Sequence, residues 1–159
     1  MINGVLTMRQ ALVLLGFIAV CLALGALGAA VTAPAIPSWY AALAKPSFNP
    51  PNWLFAPVWT VLYVMMAIAA WLVWRRGNAR TALILFTVQL LLNSGWSLLF
   101  FGLHRVDLAL LDIVLLLAAI VATALAFRAR SAVAAALMLP YLAWVCFATV
   151  LNFAIWRLN

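Results

Sequence analysis

Acidic side chains are almost absent from this sequence. Asp107 and Asp112 are the only two in 159 residues, and charged residues of either sign make up 7%. Soluble domains carry about 25% charged residues, so a water-facing surface cannot be assembled from this supply. Cysteine is scarce too: Cys21 and Cys146 each sit inside an apolar run, which argues against a disulfide-stapled secreted scaffold. There is no Cys-x-x-Cys pair, no glycine-rich phosphate loop and no nucleophile–base pair. His104 is the single histidine and has no companion of metal-ligand spacing. Zinc hydrolysis and ATP-driven transport both lack their hardware.

What the chain has in abundance is hydrophobic surface, at 70% of residues. That is about 111 side chains, and a bilayer-spanning helix takes roughly 20 residues. About five spans use up the supply. The apolar runs predict helices over residues 11–31, 56–74, 81–101, 107–127 and 132–156, with Asp107 as the N-cap of the fourth. The fold class is therefore all-α, a polytopic membrane protein built as a five-transmembrane-helix bundle, and residues 1–159 read as one membrane domain. A basic residue ahead of an apolar run also describes a signal peptide, but 21 residues exceed the usual h-region of about 7–15. The first run is read as a span.

Nine basic residues give a net charge of +7, yet they form no patch interleaved with aromatics, so nucleic acid is not an expected partner. They mark membrane boundaries instead. Arg9, Arg75, Arg76, Arg80, Arg128 and Arg130 fall on one side, and Lys45, Arg105 and Arg157 on the other. The excess of basic residues places the N-terminus in the cytoplasm. Of the two acids, Asp107 reads as a cap and Asp112 as a partner for Arg105 or a nearby hydroxyl. An acid within a span is also a functional candidate by default.

Three connections are short, whereas residues 32–55 form a long loop rich in proline and tryptophan. It holds five of the seven prolines, at positions 34, 37, 46, 50 and 51. Prolines stiffen a segment, so this one is expected to be a shaped lid over a binding site. Trp39, Lys45, Pro46, Pro50, Pro51 and Trp53 are its candidate working residues. Small residues repeat on two helices, with Ala118, Ala122 and Ala126 on the fourth and Gly16, Gly25 and Gly28 on the first. Such faces let helices approach closely in lipid, and predict a homodimer.

Eight tryptophans are the other excess. Trp71, Trp74 and Trp156 lie at span ends, as interfacial aromatics do. Trp59, Trp96 and Trp144 lie deeper, each near polar groups: Thr60 and Tyr63, Asn93 and Ser97, Tyr141 and Thr149. Indoles with scattered hydrogen-bonding groups suit a pocket for a large flat amphipathic ligand. Belt and pocket both account for them on composition alone. Counting rises of 1.5 Å per residue puts Trp59, Trp144 and Asn93 at similar depths, facing one site.

The order of motifs narrows the choice. Trp39-Tyr40, Lys45-Pro46-Ser47, Asn49-Pro50-Pro51, Trp53, Val58-Trp59-Thr60 and Leu62-Tyr63 come first. Gln89, Leu92-Asn93, Trp96, Phe100-Phe101-Gly102, Pro140-Tyr141, Trp144, Leu151-Asn152 and Trp156-Arg157 follow. From Trp39 to the C-terminus the chain resembles the translocator protein family, also called TspO or tryptophan-rich sensory proteins. The resemblance implies a five-helix bundle, commonly a homodimer, in the membrane of a bacterium. It also implies that porphyrins (protoporphyrin, haem), and in some members sterols, bind between the helices beneath the first loop. No obligatory cofactor is implied; the porphyrin is the ligand. Tyr40, Trp59, Tyr63, Asn93, Trp96 and Trp144 are the matching or adjoining pocket positions. Trp59 and Trp144 match tryptophans linked in bacterial relatives to light-dependent oxidative degradation of protoporphyrin, and would be the catalytic residues of such an activity. Phe48 stands where many relatives carry Trp. A sterol motif of Leu or Val, Tyr, then Lys or Arg has Leu151 and Arg157 here, but Phe153 replaces the tyrosine and its hydroxyl. The function classes in play are a tetrapyrrole-binding receptor or transporter, a porphyrin-degrading enzyme, and a membrane scaffold whose aromatics only pack.

Overall fold

A computed structural model describes residues 7–159, and among these there are five long helices and no strand. All five are long and apolar enough to cross a bilayer, so the chain is a multi-pass integral membrane protein. Helix α1 spans Met8–Ala35, α2 Phe55–Trp74, α3 Arg80–Ser97, α4 Val106–Arg128 and α5 Ala132–Leu158. Thr7 and Gln10 form a reciprocal cap that starts α1, and the Ser131 hydroxyl accepts from the Ala134 amide to start α5. The turn between α2 and α3 uses left-handed backbone at Gly77 and Asn78.

Around the bundle the packing order is α1, α2, α5, α4, α3, with α3 returning to α1 through the thinnest of these contacts. Only Cys21 and Ala35 of α1 are buried, against eight residues of α2. The lipid-facing positions are apolar, among them Leu12, Leu15, Leu111, Val114, Leu125 and Leu139. The six arginines of the basic side collect at one end. There Arg9 lies over Trp74 and Arg75 over Trp71, whose indole N–H donates to the Gln10 carbonyl at 2.9 Å.

Three expectations need correcting. The first helix does not stop at residue 31: α1 runs to Ala35 and continues as a π-helical turn over Ile36–Tyr40. Pro34 cannot donate to the turn behind it, yet the helix continues through it, and the Ser38 hydroxyl donates to the Pro34 carbonyl at 2.9 Å. The irregular part of the long loop is thus shorter than 32–55, and Trp39 and Tyr40 are helical. Asp107 is not an N-cap. It lies in the first turn of α4, where Arg105 clasps it with two bonds of 2.9 and 2.7 Å. That bond also holds the Arg105 guanidinium above its usual pKa. Asp112 consequently has no arginine, and its Oδ2 has no hydrogen-bond partner among the described residues. Third, Gly25 and Gly28 do not present a free face. A Cβ on Gly25 would sit 2.7 Å from the Tyr63 ring, and one on Gly28 would sit 3.4 Å from Ser97 Oγ. Both glycines are spent inside the bundle. Gly16 has nothing within 4 Å, Ala118 is exposed, and Ala122 and Ala126 are half-buried.

Candidate ligand site

The residues that wall the interior cavity come from four helices, each using its own helical period. On α2, Trp59 and Tyr63 are one turn apart and tilt against each other at 5.7 Å. On α3, Gln89, Asn93 and Ser97 form a stripe of polar residues at every fourth position, and Trp96 with Phe100 of the π-helical turn Leu98–Gly102 that follows forms a neighbouring aromatic stripe. On α5, Trp144, Ala148, Leu151 and Ile155 face inward, as do Gly25, Gly28 and Thr32 on α1 and Tyr40 at the end of the π turn that follows it. Together they enclose a cavity of about 110 Å³. Tyr40, Trp59, Tyr63, Asn93, Trp96 and Trp144, the six pocket residues expected from the sequence, all lie on its wall.

Most polar groups on that wall are already engaged. Tyr63 donates to Asn93 Oδ1 at 2.6 Å, and Asn93 Nδ2 donates to the Tyr141 hydroxyl at 3.0 Å. Tyr141 donates to Gln89 Oε1 at 2.9 Å, so a relay of four side chains runs from the cavity into the fully buried core. Trp96 Nε1 donates to Asn152 Oδ1 at 2.9 Å, and Asn152 in turn donates to the Val106 carbonyl. Tyr40 donates to Asn49 Oδ1 at 2.6 Å, which ties the loop to the cavity wall. Buried polar groups in lipid need such partners, and here asparagine carbonyls supply three of them. The indole N–H groups of Trp59 and Trp144 are different. Neither has a hydrogen-bond partner among the described residues, in contrast to Trp71 and Trp96.

The expected lid residues lie elsewhere. None of Trp39, Lys45, Pro46, Pro50, Pro51 and Trp53 lines the cavity. Trp39 stacks on His104 at 4.3 Å, using the left-handed backbone of His104, and meets Phe100 edge-on. Lys45 donates to the Ala41 and Leu43 carbonyls and lies over the Tyr40 ring. Trp53 is 72% exposed and covers nothing. The sterol motif is split as well. Leu151 faces the cavity, whereas Phe153 and Arg157 face outward. A single turn of α5 cannot present all three to one ligand.

Sequence reading missed Gly25, Gly28, Thr32, Phe55, Phe147 and Ile155 as wall residues. The glycines had been read as a dimer face. Only the i, i+4 spacing of Gly28 with Thr32 hints that they share an inward side. Among the described residues no cluster of three His, Cys, Asp or Glu exists to hold a metal. The cavity wall bears no charged side chain.

Comparison with known proteins agrees with this architecture. The model of the TspO/MBR family matches residues 17–157. The "Tryptophan-rich protein TspO" of Chlorobaculum tepidum is 47% identical over 95% of this chain and 98% of its own length. The human "Translocator protein" is 44% identical over 76% of this chain and 75% of its own. The "Tryptophan-rich sensory protein" of Cereibacter sphaeroides is 39% identical over 86% and 88%. With the family pattern matched across all five spans and the indole-walled cavity at their centre, the chain belongs to the TspO/MBR family.

Proposed function

We propose that the protein is a membrane receptor or transporter that binds porphyrins, protoporphyrin or haem, in the cavity between its helices. This links it to tetrapyrrole regulation or stress response. One observation carries the reading: Trp59, Trp96 and Trp144 converge with Tyr40 and Tyr63 on a single uncharged cavity inside the bundle. Flat aromatic walls suit a flat aromatic macrocycle, and each ring pair adds about 0.5–1.5 kcal/mol beyond area burial. The names of relatives, translocator and sensory protein, are in keeping with a ligand-handling role.

Tryptophan quenching on titration with protoporphyrin tests it. Replacing Trp59 or Trp144 by Phe is expected to weaken affinity roughly five- to tenfold. Unchanged affinity in both variants removes the assignment, and a wild-type protein that does not quench leaves only a scaffold.

A second reading rests on the unpartnered indoles. Trp59 lies against both Tyr63 and Tyr141, at 5.7 and 6.2 Å, a run of oxidisable rings. In this reading Trp59 and Trp144 donate electrons to photo-excited protoporphyrin, and dioxygen is the final oxidant. Bleaching of the porphyrin under illumination, lost in Trp144→Phe with part of the binding retained, is the outcome it requires. Sterol, if bound, would meet the lipid-facing patch of Val150, Phe153 and Trp156 rather than the cavity.

A further inference from the structure

Hydroxyl groups inside a membrane helix normally fold back onto the carbonyl four residues earlier, because lipid offers no other acceptor. Ser38, Thr60, Thr87, Ser94, Thr123 and Thr149 all do so here, at 2.7 to 3.1 Å. Among the described hydroxyls with a helical turn behind them, Thr32 and Ser97 do not. Both line the cavity, and neither oxygen is sealed in the protein as Asp112 Oδ2 is.

The two lie on different helices that meet along the cavity wall. Gly28 is one turn before Thr32 on α1, and its backbone approaches Ser97 so nearly that an added Cβ would lie 3.4 Å from Oγ. The missing side chain at Gly28 leaves the Ser97 hydroxyl uncovered. Every other hydroxyl or amide donor traced on the wall is engaged: Tyr40 by Asn49, Tyr63 by Asn93, Asn93 by Tyr141, Trp96 by Asn152. The wall therefore offers four uncommitted donors, the hydroxyls of Thr32 and Ser97 and the indole N–H groups of Trp59 and Trp144.

We infer that Thr32 and Ser97 form the polar subsite of the cavity, and that its ligands carry an acceptor oxygen, carboxyl or carbonyl, seated on these hydroxyls. The inference rests on the cavity being the ligand site, and makes its selectivity specific. No cationic side chain lines the cavity, so neutral donors do the selecting. An oxygen that leaves water for this site is repaid only where such donors meet it. A macrocycle without oxygen leaves them unpaired and loses that contribution.

Three ligands of one shape separate the possibilities: mesoporphyrin, its dimethyl ester and etioporphyrin, which has the same ring with alkyl groups only. Wild-type protein in detergent is expected to bind the first two more tightly than the third. The double variant Thr32→Val with Ser97→Ala should weaken both oxygen-bearing porphyrins about tenfold and leave etioporphyrin unchanged, which also shows that the variant is folded. Gly28→Ala, which covers Ser97 with a methyl, should act in the same direction. Thr60→Val, at a lipid-facing hydroxyl already bonded to Ala56, should change nothing. Equal weakening of all three porphyrins, or none, overturns the subsite while leaving the cavity in place. Failure of wild type to bind any of them overturns the cavity reading and the subsite with it.

Discussion

Asn93 holds its amide at both ends: the carbonyl accepts from Tyr63 and the amino group donates to Tyr141, deep between α2, α3 and α5. Removing it strands one hydroxyl without an acceptor and another without a donor, on residues at most 6% exposed. Asn93→Ala is expected to cost about 1–3 kcal/mol, read as a lower melting midpoint in detergent. Tyr141→Phe strands the Asn93 amide N–H and the Gln89 carbonyl, two groups again, so a comparable cost is expected; a variant as stable as wild type would contradict the relay. At this scale much of the site was legible. The aromatics at 59, 96 and 144 and the polar stripe on α3 stand out in an apolar chain because nothing else explains their depth. Thr32 and Ser97 did not stand out, since a helical hydroxyl is ordinarily silent and only its unmade backbone bond distinguishes it.

The helices themselves were legible to within a residue or two, apart from both ends of α1, once the π-helical turn Leu98–Gly102 is counted with α3. Prolines at 34 and 37 are strong stop signals, yet the helix continues through them and closes with a π turn at Tyr40. The sequence does not reveal that continuation, because proline residues usually end a helix. The same helix shows what glycine does here. Gly25→Ala would drive a methyl to within 2.7 Å of the Tyr63 ring and must displace it, or push α1 away from α2. Weaker porphyrin binding and a lower melting midpoint are expected together. Gly16→Ala, on the same helix with open space around it, should be neutral or stabilising by up to about 1 kcal/mol. Equal behaviour of the two variants would mean that α1 is not held at Gly25.

For the molecule as a whole, the packing order leaves one thin seam, where α1 meets α3. Gly28 faces Ser97 there, and further along the same two helices an open apolar groove is lined by Gly16, Phe17, Cys21, Phe86 and Leu90. At the seam Gly28, which has no side chain, lies against Ser97 on the cavity wall. A hydrophobic ligand entering there from the bilayer would meet the site sideways, without crossing the loop. What fills the cavity is then the ligand's mole fraction in the membrane, not its concentration in water. Diluting the protein with lipid at constant ligand and constant volume should raise the apparent dissociation constant in proportion to the lipid added. A dissociation constant indifferent to lipid would mean that the ligand does not partition into the bilayer. If partitioning governs, the protein reports how crowded its own membrane is with a compound, and any process that strips that compound from the bilayer silences it at a distance.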